Sequence, residues 1–177
     1  MGKRLIRWEW GGGVFTAVMG TLLHFAYDWS GQRSWVAMFA AVNESTWEHM
    51  KLLFVPVFVW SVVQLWFHGR NYPNFLAART AALLAGLALI PALYYTYTGI
   101  LGQQFAWVNI LIFYLSVAAV FRLDHRLLTN GWGGRAWQQL AGLLVLWALA
   151  FLFVYCTFYP VRLPLWQDPV TGGYGIP

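Results

Sequence analysis

Apolar residues run in five long stretches separated by short polar breaks, at about residues 11–29, 46–67, 75–95, 105–123 and 137–158. Each approaches the roughly 20 mostly apolar residues that a helix needs to cross the hydrocarbon core of a bilayer. The pattern therefore predicts an all-α fold: a polytopic bundle of five transmembrane helices in a single membrane-embedded domain spanning residues 1–177. A sixth apolar run, residues 35–42, is too short to cross. It is expected as an interfacial segment after the first helix, where protein or water covers its backbone ends. Residues 159–177 are too polar to span and are expected to fold over the mouth of the bundle as an ordered lid. Pro160, Pro164 and Pro169 restrict φ there and lower the entropy lost on ordering, and Leu163, Leu165 and Trp166 offer apolar contacts. Such a lid would bring Arg162 and Asp168 near Glu44 and Glu48.

Composition removes the competing classes. Sixty per cent of the 177 residues are hydrophobic and 10% are charged, with a mean hydropathy of +0.56. Soluble domains carry about 25% charge, and disordered chains are poorer still in aromatics and apolar residues. The single cysteine, Cys156, excludes a disulfide scaffold. The net charge of +5 is spread over short connections without a basic–aromatic patch, so no nucleic-acid partner is expected.

That charge is better read as topology. Lys3, Arg4, Arg7, Arg70, Arg79, Arg122, Arg126 and Arg135 fall at one end of the expected bundle, against Arg33, Lys51 and Arg162 at the other. The positive-inside rule then puts the N-terminus in the cytoplasm and the C-terminus outside, as an odd number of spans requires. The expected location is the cytoplasmic membrane of a prokaryote. The first span lacks a small-residue cleavage site and is read as a retained anchor. Tryptophans cluster near both boundaries, Trp29, Trp35, Trp47, Trp107 and Trp166 at the outer one, as interfacial anchors do. Ala78, Ala82 and Gly86, spaced by four, form a small-residue stripe suited to close helix approach.

Four of the six acids, Asp28, Glu44, Glu48 and Asp168, lie at the outer end. The densest polar run is Asn43-Glu44-Ser45-Thr46-Trp47-Glu48-His49-Met50-Lys51, leading into the second span. On a helix, Glu44 and Glu48 lie one turn apart, as do His24 and Asp28 on the first span. Because consecutive spans tend to be neighbours, His24, Asp28, Glu48 and His49 can converge at one level as metal ligands, with Glu44 or Glu48 as catalytic carboxylates. Two histidines with a carboxylate suit a divalent metal such as zinc with one position open to water; they also suit a proton relay. A purely structural reading stands beside these. Ser45 and Glu48 have the spacing of a capping box, Glu48 and Lys51 can pair along the helix, and His24 can bond a neighbouring carbonyl. His68 and His125, beside Arg70 and Arg126, are expected to be solvated at the inner boundary.

The stretches Leu23-His24-Phe25, Asp28-Trp29-Ser30-Gly31, Val42 to Lys51, Tyr95-Thr96-Tyr97-Thr98-Gly99-Ile100 and Asp168 to Ile176 resemble a family of small bacterial and archaeal membrane proteins known only as a domain of unknown function. The resemblance implies about five helices and an outward-facing set of polar motifs, and it supplies no activity. Two functions stay open on the residues. One is a membrane protein with an outward-facing His/carboxylate site, used for metal-dependent hydrolysis of a lipid-like substrate or for proton- or ion-coupled transport. The other is a non-catalytic accessory subunit of a larger membrane complex. Expected partners are the lipid bilayer and either such a complex or further copies of the chain.

Overall fold

A computed structural model describes residues 2–176. Five helices of 22 to 28 residues make the body: α1 (Gly2–Trp29), α3 (Thr46–Phe67), α4 (Phe75–Leu101), α5 (Ala106–Asn130) and α6 (Ala136–Phe158), with the one-turn α2 (Ser34–Ala37) between the first two. Four of them, α3, α4, α5 and α6, are long and apolar enough to cross a membrane; α1, with Lys3, Arg4, Arg7 and Glu9 in its opening turns, is not among these. No strand forms among the described residues, only one isolated bridge between Gln167 and Tyr174.

The helices coincide with the apolar runs, and where they outrun them the reason is local. α1 begins nine residues before the apolar pattern does, because Leu5 packs against Phe75, Ala78 and Leu128, and Glu9 is buried. α4 continues through Tyr94–Leu101 because the hydroxyls of Thr96 and Thr98 bond back to the carbonyls of Ala92 and Tyr94 instead of competing with the helix. It stops at Gly102, whose φ of 69° is the left-handed cap that glycine adopts without a Cβ penalty. α5 ends the same way at Gly131, at φ 74°.

α4 packs against α3, α5 and α6, and α1 against α3 and α5. The shared core holds Leu53, Val57, Leu83, Val120 and Phe153, all nearly inaccessible. The small-residue stripe does bring helices together. Ala78 and Ala82 are fully buried, and a Cβ at Gly86 would collide with Val120 on α5. At the α4–α6 crossing a Cβ on Gly142 would lie 2.9 Å from the carbonyl oxygen of Leu76, and Thr80 Oγ1 donates to the Gly142 carbonyl at 3.0 Å. Gly86→Leu is expected to destabilise the bundle by about 1–3 kcal/mol through overpacking. Gly99→Leu, a position with open space around it, is the control; thermal unfolding in detergent should separate the two.

The segment after α2 and the tail close one end of the bundle. Tyr27, Val36, Ala37, Ala40 and Val42 form a small cluster that also receives Ile176. The tail folds back so that Trp166 lies 4.9 Å from Trp47, and the Gly175 carbonyl accepts from Asn43 Nδ2 at 2.8 Å. Trp47 is thus buried between Phe153 and Trp166 rather than exposed at a membrane interface. Trp29, Trp35 and Trp107 remain largely exposed.

Candidate functional site

The end closed by the tail is where the polar run lies. Ser45, in extended backbone conformation, caps α3 by accepting from the Glu48 amide at 3.3 Å. Asn43 Oδ1 accepts from the Ser45 amide at 2.9 Å while its Nδ2 reaches the tail. Glu44 is therefore held between two residues whose side chains are already committed, and its carboxylate faces the gap between α1 and α3. Its Oε1 lies 3.6 Å from His24 Nε2 and its Oε2 lies 3.6 Å from His49 Nε2. The two imidazole rings are 5.5 Å apart, centre to centre.

One ligand atom from each of His24, Glu44 and His49 falls within 4.8 Å of the others. Zinc bonds of about 2.0–2.1 Å in a tetrahedron space ligand atoms about 3.4 Å apart. The two histidine–carboxylate separations already match that, and only the histidine pair must close further. His49 Nδ1 lies 2.9 Å from the Ser45 carbonyl. Donation there fixes the tautomer that leaves Nε2 as a lone pair, the outer contact that metal-bound histidines make. All three side chains are partly exposed. A cavity of about 20 Å³ beside Glu44 and His49, walled by Tyr94 and Asn109, has room for one water. The arrangement suits a divalent metal with three protein ligands and an open position.

The structure brings together His24 and His49 from the expected set, and the carboxylate between them is Glu44. Glu48 points the other way. It is buried, its Oε2 lies 2.5 Å from Lys51 Nζ and accepts from the Val42 amide, and its Oε1 accepts from Thr157 Oγ1 at 3.0 Å. Lys51 Nζ also donates to Thr157 Oγ1 and to the Ala37 carbonyl, both at 2.9 Å. This strut ties α3 to α6 and to the segment before Glu44. The helix start is consequently half a capping box: Ser45 caps, but the Glu48 side chain bonds Val42 instead of returning to Ser45. Asp28, one turn beyond His24 on α1, is exposed and lies outside the group of three. Asp168 is spent on its own turn, accepting from Val170 N and Thr171 Oγ1, and neither it nor Arg162 pairs with Glu44 or Glu48 among the described residues. Thr157→Val should cost about 1–3 kcal/mol by leaving Lys51 and Glu48 each short of a buried partner, read as a lower unfolding temperature.

The opposite end holds a second buried polar network that the sequence pattern does not announce. Arg79 Nη2 donates to Asp124 Oδ2 and to Gln64 Oε1, both at 2.8 Å, and lies 3.5 Å from Glu9 Oε1; Gln64 Nε2 donates to Glu9 Oε1 at 2.6 Å. Phe75 and Phe121 face the guanidinium at 5.4 and 5.2 Å. Arg79, expected as a loop charge, is fully buried on the Ala78–Ala82 side of α4. His68, expected to be solvated, is also buried, stacked on Trp8 at 6.1 Å. Desolvation, with the charge of Arg4 nearby, holds its imidazole below the usual range.

Residues 3–176 match the model of a family of unknown function, DUF6512, and the chain belongs to that family. Comparison with curated proteins and with solved structures found no match.

Proposed function

For this member of a family without an assigned activity, we propose a five-span membrane protein that binds a divalent metal, such as zinc, between His24, Glu44 and His49 on the outer side. The bound metal would serve to activate water against a lipid-like substrate. The observation that supports it best is the convergence of two Nε2 atoms on one carboxylate, with His49 held in the ligating tautomer by the Ser45 carbonyl. The open side of the cluster leaves a position for water, whose pKa a metal lowers towards neutrality. Glu48 is engaged by Lys51 and positions the segment that carries Glu44, leaving Glu44 as the carboxylate of the site.

The basic residues outside buried ion pairs support an orientation. Arg79 and Lys51 are buried in ion pairs, so they do not report on topology. The remaining basic residues divide seven to two, with Lys3, Arg4, Arg7, Arg70, Arg122, Arg126 and Arg135 against Arg33 and Arg162. By the positive-inside rule this division supports an orientation with the end carrying Glu44 outside the cytoplasmic membrane. α1 packs on α3 and α5 and runs antiparallel to α3, with Glu9 beside Gln64 at one end and His24 beside His49 at the other; it crosses as the fifth span, its opening charged turns lying at the inner surface.

Titration of the purified protein with cobalt(II) tests the site. A visible spectrum typical of a four-coordinate nitrogen–oxygen site, saturating at one equivalent and lost in His24→Ala and in His49→Ala, is the expected result. No spectrum at saturating cobalt would remove the metal reading and leave the accessory-subunit role.

A further inference from the structure

A cleft of about 670 Å³ opens between α1 and α5 at the basic end of the bundle, away from the metal-site residues. Its long walls are mostly apolar, with Trp10, Val14, Ala17 and Phe121 among them, and from Ile6 to Ala17 it follows α1 over eleven residue steps. At 1.5 Å per residue that is about 16 Å, close to half of a hydrocarbon core about 30 Å thick. Beyond its far end, Thr21 Oγ1 and Tyr114 Oη lie 3.1 Å apart. The near end is rimmed by Arg122, His125 and Arg126, with Glu9 in the wall.

The charges at that end are arranged in two layers. Inside, Glu9 and Asp124 both lie against the single guanidinium of Arg79. Glu9 is 5% exposed, and its Oε2 has no hydrogen-bond partner among the described residues. Outside, Arg122 and Arg126 are exposed and pair with no carboxylate among the described residues. A carboxylate oxygen without a hydrogen-bond donor thus belongs to a residue of the same cleft as two arginines that pair with no carboxylate among the described residues, at the mouth of an apolar groove one leaflet long.

We propose that this cleft binds one glycerophospholipid with a primary-amine headgroup. An acyl chain lies along α1 and α5, the phosphate sits on Arg122 and Arg126, and the ammonium donates to Glu9 Oε2. Anionic lipid would satisfy only the arginines, and a quaternary ammonium offers Glu9 no N–H donor. This inference rests on the membrane reading and is independent of the metal.

The test is native mass spectrometry of the full chain in detergent with dioleoyl phosphatidylethanolamine, phosphatidylglycerol and phosphatidylcholine added at equal concentration. One phosphatidylethanolamine per chain, retained about tenfold better than phosphatidylcholine, is expected. Glu9→Gln should erase the preference over phosphatidylglycerol, and Arg122→Gln with Arg126→Gln should weaken all three lipids. Gly13→Leu projects into the cleft from a position where a Cβ makes only an ordinary 3.7 Å contact with Phe121. It should block binding while the unfolding temperature stays unchanged. Equal retention of the three lipids, a preference for phosphatidylglycerol, or undiminished binding in a folded Gly13→Leu variant would overturn the proposal. So would a dimer dissociated by Gly13→Leu, which would make this face the seat of a second copy of the chain.

Discussion

Arg79→Met is expected to lower the unfolding temperature in detergent by about 10 °C, corresponding to about 3–5 kcal/mol for a chain of this size. The guanidinium is fully buried and is the only cation paired with Glu9 and Asp124 among the described residues. Methionine fills much of the same volume against Phe75 and Phe121 but leaves two buried carboxylates facing one another without a counter-charge. Gln64 would also lose the donor to its Oε1. The triple variant Arg79→Met with Asp124→Leu and Glu9→Gln should recover most of the loss, because removing every charge of a buried cluster is far less costly than removing one. No recovery would mean that Arg79 acts through its packing on the two rings rather than through charge.

The second large effect separates two glutamates one helical turn apart. Glu44→Gln is expected to weaken zinc binding by about 100-fold, the scale of losing a well-placed charged contact, with little change in stability, since Glu44 is exposed and its only ion-pair partners among the described residues are the two histidines. Glu48→Gln is expected to do the reverse. It leaves the Lys51 ammonium buried without a counter-charge, so the unfolding temperature falls while zinc affinity in the folded fraction changes little. Isothermal titration with zinc alongside thermal unfolding reads both. Loss of zinc binding in Glu48→Gln with none in Glu44→Gln would reverse the assignment.

These contrasts also mark how far the residues alone could be read. The helices were legible because apolar runs of membrane length have few alternatives, and α3 matches its run at both ends. Their extensions were not, since they depend on tertiary partners: Leu5 and Leu128 on Phe75 for α1 and α5, and threonine back-bonding for α4. At the candidate site, spacing put His24 and His49 at one depth, and their rings lie 5.5 Å apart. Spacing could not choose between Glu44 and Glu48. That choice is made by Ala37 and Val42 on one side and Thr157, more than a hundred residues away, on the other, which together draw Glu48 and Lys51 inward. The Arg79 network was hidden for a related reason: arginine near a helix start reads as a loop charge. The one signal in the pattern was its place beside Ala78 in the small-residue stripe, on the face that turns inward.

The most direct test of the metal site is anomalous diffraction at the zinc absorption edge from crystals of zinc-saturated protein. The expected result is a single strong peak bonded at about 2.0–2.1 Å by Nε2 of His24, Nε2 of His49 and a carboxylate oxygen of Glu44, with His49 Nδ1 still on the Ser45 carbonyl. No peak between these three side chains, or imidazoles turned away from one another with Glu44 free in solvent, would contradict it.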